Sequence, residues 1–214
     1  MPAATPVLEK VTAFVTRKTS TGGELLLFEH PNAGIQIPAG TVEPGEKPER
    51  AVLREAAEET GLNDLILLAD LGSQDEPAPS GHLLVLTSTL VYSRPDPNSF
   101  DWARFRSGVA VRFLRRAGKF CQVSYEEPDR WPDPNYTTYQ ITGWVPTTAL
   151  TPQRVRYFFH LGCICETEER WTVRSDNHIF KLFWAPLENL PAIVSPQDAW
   201  LPWLKKLDPN RTAR

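Results

Sequence analysis

Apolar and polar positions alternate through residues 8–17 (LEKVTAFVTR), and this period predicts a strand. Turn residues at 20–23 and a second apolar run at 24–30 (ELLLFEH) complete an expected β-hairpin. A short extended run follows, with Ile35 and Ile37 on one side. Residues 48–60 change period. Val52, Leu53, Ala56 and Ala57 fall on one helical face and Glu55, Glu58 and Glu59 on another. Pro48 suits a first helical turn, Glu49 complements the helix N-terminus, and Gly61 fits the left-handed residue that ends a helix. The dense aliphatic run at 65–71 (LILLADL) reads as another strand, and QDEPAPSGH after it as a polar, proline-rich junction. Strands are expected again at 154–161 and 179–187, with a polar loop between them. An amphipathic helix is expected at 196–207, with Trp200, Leu201, Leu204 and Leu207 toward the core and Pro202 forcing a kink or restart.

The helix at 48–60 holds the candidate chemistry. Glu55, Glu58 and Glu59 lie at i, i+3 and i+4, where like charges repel and weaken a bare helix. A hard divalent cation would compensate them, since carboxylate oxygens are what Mg²⁺ prefers. The plainer reading is a solvated acidic face.

The wider spacing favours the cation. Gly40, Glu46, Arg54-Glu55, Glu58-Glu59 and Gly61-Leu62 stand at intervals that resemble the Nudix box of the Nudix hydrolase family. Ala56 departs from the larger aliphatic residue usual there. The resemblance implies an α/β fold, an α/β/α sandwich on a mixed sheet. It also implies hydrolysis of a diphosphate linkage in a nucleoside diphosphate derivative with Mg²⁺ or Mn²⁺. Glu55 and Glu59 are the first expected metal ligands, with Glu58 a third and the backbone at Gly40 assisting. Arg54 and Glu46 are expected to form a supporting ion pair. In this family the general base is a box glutamate or one from a distant loop; Glu166, on the loop with Glu168 and Glu169, is the loop candidate. The IPAG run before the box, together with Pro77, resembles ADP-sugar pyrophosphatases, which directs attention to ADP-ribose-like or dinucleotide substrates. Tyr157, Phe158 and Phe159 are candidates for stacking a base.

Between the expected strands at 65–71 and 154–161 lie roughly eighty residues, too many for a structureless loop. Short strands and turn residues there suggest a small barrel. The order VYSRP, GVAVRFLRR, KFCQVSY and GWVPTTAL resembles a bacterial SH3-like domain. The expected division is therefore 1–80 and 153–214 for the Nudix domain and 81–152 for an all-β insert; an elaborated hairpin arm is the alternative. The insert concentrates Trp102, Arg104, Phe105, Arg106, Arg112, Arg115, Arg116 and Lys119. Arg115 and Arg116 could attract a polyphosphate, an RNA or a protein partner, or simply be solvated.

Composition adds mainly exclusions. A net charge of −3 gives no global electrostatic case for nucleic acid or membrane partners. No apolar run approaches the ~20 residues of a membrane span, and the N-terminus lacks the pattern of a signal peptide. Cys121, Cys163 and Cys165 are an odd set and a poor zinc site, better read as reduced thiols of a cytoplasmic protein. A homodimer is compatible with the family. Two other function classes stay open: a non-catalytic nucleotide sensor or scaffold, and a hydrolase acting on RNA 5′ ends.

Overall fold

The computed structural model describes residues 6–20, 22–175 and 177–207. In chain order the strands are β1 (Leu8–Thr19), β2 (Gly22–His30), β3 (Gly34–Gln36) and β4 (Ala39–Thr41), followed by helix α1 (Pro48–Thr60) and β5 (Leu65–Pro77). Then come β6 (His82–Val85), β7 (Thr89–Tyr92), β8 (Asp101–Phe105), β9 (Ala110–Ala117), β10 (Phe120–Pro128), β11 (Thr137–Pro146) and β12 (Leu150–Thr151). The last of the described residues form β13 (Gln153–Cys163), β14 (Arg170–Ser175), β15 (His178–Pro186) and a 3₁₀ segment, Gln197–Leu207. It divides into two compact units, one made of residues 10–73, 130–133 and 157–207, the other of 6–9, 74–129 and 134–156.

The first unit is built on a sheet of order β14-β15-β2-β1-β13-β5, with β3 paired to β2 and β4 to β1. The expected hairpin is present: β1 and β2 run antiparallel from Thr16↔Leu25 to Thr19↔Gly22. Period-two alternation sends side chains to two faces. Val11, Ala13, Val15, Leu26, Phe28, Phe159, Leu161 and Leu182 meet Ala51, Val52 and Ala56 of α1 on one face. Phe14, Leu25, Leu27, Phe158 and Ala185 meet Trp200 on the other, with Leu201, Trp203 and Leu204 packed against them. The sheet is thus sandwiched between α1 and the C-terminal segment. Pro202 lies inside that segment, which winds as a 3₁₀ helix. The Trp203 ring stacks on Phe158 at 4.4 Å between centroids. The side chain of Leu207 lies outside the described residues.

Two expectations need correction. The loop expected between 162 and 178 contains β14, in which Trp171 and Val173 pack against the first core cluster. The Trp171 indole N–H also donates to the Thr60 carbonyl at 2.8 Å, tying this strand to the end of α1. The polar junction after residue 71 is instead the continuation of β5 to Pro77. Glu76 on that continuation accepts from Arg154 at 2.6 Å and from Arg156 at 3.2 Å, both on β13. Arg156 is only 5% exposed. Burial pulls its guanidinium down to about 10, against the opposing charge of Glu76.

The second unit holds a sheet of order β12-β6-β9-β10-β11-β7-β8. Its neighbours pair antiparallel throughout. Val85, Val91, Phe105, Val111, Val123, Val145 and Leu150 form its core. Phe113, Leu114 and Trp102 remain exposed on its surface.

His160 on β13 makes a testable contribution to pH stability. Its Nε2 lies 2.7 Å from the Thr16 hydroxyl, and burial lowers its pKa. Below the ordinary imidazole range the unfolded chain therefore binds more protons at this position than the folded chain, so stability falls as pH falls. Urea midpoints should drop between about pH 7 and 5, and His160→Gln should flatten that slope. An unchanged slope in the variant would remove His160 as its source.

Candidate functional site

Helix α1 begins at Pro48, with Lys47 extended at the N-cap position and Glu49 in the first turn. It stops at Gly61, which adopts φ 74° and returns its N–H to the Ala57 carbonyl at 2.8 Å. The boundaries are those that the sequence predicts. Burial of Ala51, Val52 and Ala56 against the sheet fixes the rotation of the helix, and that rotation aims Glu55 and Glu59 at the short strand β4.

The two carboxylates land on backbone amides either side of Gly40. Glu55 Oε1 accepts from the Thr41 N–H at 2.9 Å, and Glu59 Oε2 accepts from the Ala39 N–H at 2.9 Å. Gly40 is required by this approach. A Cβ built there would fall inside the carboxyl group of Glu55. Burial raises the Glu55 pKa, and it is opposed by the nearby Arg54 charge and the Thr41 N–H. Such a carboxylate, held dry and pre-oriented, gains more from a cation than a solvated one does.

Arg54 braces the entry to the helix. Its Nε and Nη2 donate to the two oxygens of Glu46 at 3.1 and 2.9 Å, in bidentate fashion. Nη2 also donates to the Thr41 carbonyl at 3.0 Å, and Nη1 lies 3.0 Å from Glu55 Oε1. The hydrogen bond from Arg54, the largest influence, lowers the Glu46 pKa, and Glu46 in turn raises that of Arg54. The ion pair expected between Glu46 and Arg54 therefore extends to β4 and to Glu55. Thr41 is the residue that sequence reasoning missed. It acts through its backbone, which leaves no mark in a pattern of side chains. Its hydroxyl also accepts from Lys10 Nζ at 2.6 Å.

Glu58 is placed differently. Its side chain is 56% exposed and receives Arg54 Nη1 at 3.3 Å. Among the described residues no three His, Cys, Asp or Glu side chains gather as a metal-binding cluster. The hard oxygen donors on offer are Glu55, Glu59 and the backbone at Gly40, and their chemistry fits a hard divalent cation.

The remaining candidates belong to other elements. Glu166 is exposed on the loop between β13 and β14. That loop is held by Arg17, which donates to Thr167 at 3.2 Å and to Glu169 at 2.6 Å. Tyr157 is half-buried against the first core cluster, and Phe158 and Phe159 are fully buried core residues with no face left for stacking a base. Arg115 and Arg116 belong to the second unit. Arg115 donates to Gln122 at 2.7 Å and lies over the Trp144 ring at 5.3 Å, while Arg116 donates to the Gly118 carbonyl at 3.0 Å. Pro77 is the last residue of β5. Among the described residues no helix is long and apolar enough to cross a membrane.

Residues 8–102 match the family model described as NUDIX domain. YtkD of Bacillus subtilis (strain 168), provisionally named an 8-oxo-dGTP diphosphatase, is 55% identical over 40 residues, which is 19% of this chain. The chain spans about a quarter of that relative's length (25%). Among solved structures, the Ap4A hydrolase of C. elegans overlaps with a TM-score of 0.42 at 14% identity, covering 94% of this chain and 96% of that one. The NUDIX domain of Shewanella oneidensis NrtR, complexed with ADP ribose, overlaps with a TM-score of 0.46 at 12% identity, covering 97% and 92%. Overlaps of this size carry no substrate assignment. The match marks a NUDIX domain within the chain, over residues 8–102.

Proposed function

We propose that this chain, through its NUDIX domain, is a divalent-cation-dependent pyrophosphohydrolase that cleaves the diphosphate linkage of a nucleoside diphosphate derivative. ADP-ribose-like compounds and dinucleotides are the favoured substrates. The observation that carries this reading is the placement of Glu55 and Glu59 on the amides of Thr41 and Ala39, astride Gly40.

Glu55, Glu59 and the backbone at Gly40 would hold the cation, with Glu58 joining directly or through water. A bound Mg²⁺ or Mn²⁺ would neutralise diphosphate charge and acidify a water molecule. The chain's own share is positional. The amides at 39 and 41 hold the two carboxylates, and Arg54 keeps Glu46, Thr41 and Glu55 in one rigid group. Arg54 thereby acts as a positioning residue. The exposed carboxylate of Glu166 is the proposed proton acceptor, carried by a loop that Arg17 tethers. Tyr157 is proposed to border the nucleoside.

The second unit is proposed as an SH3-like insertion, supported by its antiparallel sheet and by Trp144 and Val145 on β11. Arg115 and Arg116 are its proposed contacts to anionic partners.

The test is a panel of ADP-ribose, dinucleotides, dinucleoside polyphosphates and nucleoside triphosphates, 8-oxo-dGTP among them, with Mg²⁺ or Mn²⁺. Turnover of diphosphate-linked nucleosides is expected, abolished by a chelator and restored by excess cation. Tight nucleotide binding without turnover of any member would overturn the hydrolase in favour of a sensor. A triphosphate-ended RNA completes the panel, and turnover confined to it would overturn the substrate class.

A further inference from the structure

Cys163 and Cys165 are not among the residues that would hold the proposed cation. Cys163 is the last residue of β13, and the chain bends at Cys165. Residues i and i+2 of a strand point to the same face. In a fully extended strand the two side chains would stand roughly 6.6 Å apart, but the bend at Cys165 accompanies a closer approach, with the two Sγ atoms at 3.4 Å. Ile164 between them is 68% exposed. Both thiols are free and half-buried. A disulfide needs about 2.05 Å, so closing the pair asks for a small local movement.

The surroundings supply a fixed frame on one side of the pair. Cys163 packs against the first core cluster. Beyond Cys165, Thr167 is gripped by the Trp184 indole N–H at 2.8 Å and by Arg17 at 3.2 Å. Arg17 itself lies over the Trp184 ring at 4.5 Å and pairs with Glu24 at 2.7 Å. Ile164–Cys165–Glu166 thus link a strand end to an anchored threonine.

From this geometry we infer that Cys163 and Cys165 form a reversible redox site, oxidised by a hydroperoxide to an intramolecular disulfide. The thiolate of Cys165 attacks one peroxide oxygen. The O–O bond breaks, leaving a sulfenic acid on Cys165 and hydroxide. Cys163 then attacks that sulfur, the S–O bond breaks, and the second oxygen leaves as water with the Cys163 proton. Two thiols and one hydrogen peroxide become one disulfide and two waters; sulfur is oxidised and peroxide oxygen is reduced. Burial pushes the Cys163 thiol up to about 11, which disfavours Cys163 as the first attacking thiolate. The 3.4 Å separation is near-attack distance for the second step.

The test needs no hydrolase activity, so its failure and the failure of the hydrolase reading are distinguishable. The full chain is exposed to hydrogen peroxide, unfolded, alkylated and weighed intact. Wild type should lose two hydrogens, and its alkylated thiols should fall from three to one, returning to three with dithiothreitol. Peptide mapping should place the bridge between Cys163 and Cys165. Cys163→Ser should stop at a sulfenic acid on Cys165 that a dimedone probe traps, and Cys165→Ser should leave Cys163 reduced. Three alkylated thiols after peroxide, a bridge to Cys121 or to a second chain, or direct passage to sulfinic acids in wild type would each overturn the inference. The wild-type arm decides even if a variant does not fold.

Discussion

Glu55→Gln should lower kcat by about 10³-fold, the scale of a lost preorganised electrostatic group, while the protein stays folded. The change removes charge and keeps shape. A glutamine carbonyl can still accept from the Thr41 N–H, which the Glu55 carboxylate receives at 2.9 Å. What goes is a charge kept largely out of solvent, whose raised pKa reflects its burial. Cation affinity should fall with it, so Mg²⁺ titrations should shift to higher concentration. Glu59→Gln should behave alike, because its carboxylate is held in the same way on the other side of Gly40. Glu58→Gln should cost less, since that side chain is 56% exposed and turned toward Arg54. Steady-state kinetics with Mg²⁺ titration of the three variants checks the ranking. Wild-type turnover and cation dependence in Glu55→Gln would remove the proposed centre.

Helix α1 was legible because its signals are local and agree with one another. Pro48, Glu49, the apolar face and Gly61 all act within a few residues, so boundaries and orientation follow from a short stretch. Strand β14 was obscured because its alternation, RWTVRS, sits among charges. Its pairing with β15, the core packing of Trp171 and Val173, and the Thr60 carbonyl separate it from a polar loop. The extension of β5 depends on Glu76 meeting Arg154 and Arg156 from a distant strand, and a proline-rich run gives no local hint of that.

The candidate site divides in the same way. The glutamates, Arg54 and Gly40 were readable from their spacing. The amides of Ala39 and Thr41, which position the carboxylates, were not, since every residue but proline has one. Glu58 shows the limit of periodicity. Helical spacing puts it beside Glu55 and Glu59, yet its side chain is 56% exposed and meets Arg54 Nη1 at 3.3 Å instead of a backbone amide of β4. Arg17 and Thr167 are another case, joined across the fold with no shared motif to announce them.

Gly40→Ala should be the most damaging small substitution on β4. Gly40 pairs with Val11 of β1, which holds its backbone in place. Its added methyl would collide with the Glu55 carboxyl group. Either β4 shifts or Glu55 swings away from the Thr41 amide. The group met is the far end of a flexible side chain, so Glu55 is the one that gives way, at the low end of overpacking costs, about 1 kcal/mol, or roughly 2–4 °C in Tm for a chain of this size. Activity should fall as far as in Glu55→Gln, because the displaced carboxylate no longer stands beside Gly40. A double-mutant cycle separates the collision from any general intolerance of β4. In a Glu55→Ala background the colliding group is absent, so adding Gly40→Ala should cost little further stability. If Gly40→Ala instead lowers Tm equally with and without the Glu55 carboxylate, the close approach of helix and strand is not what demands glycine here.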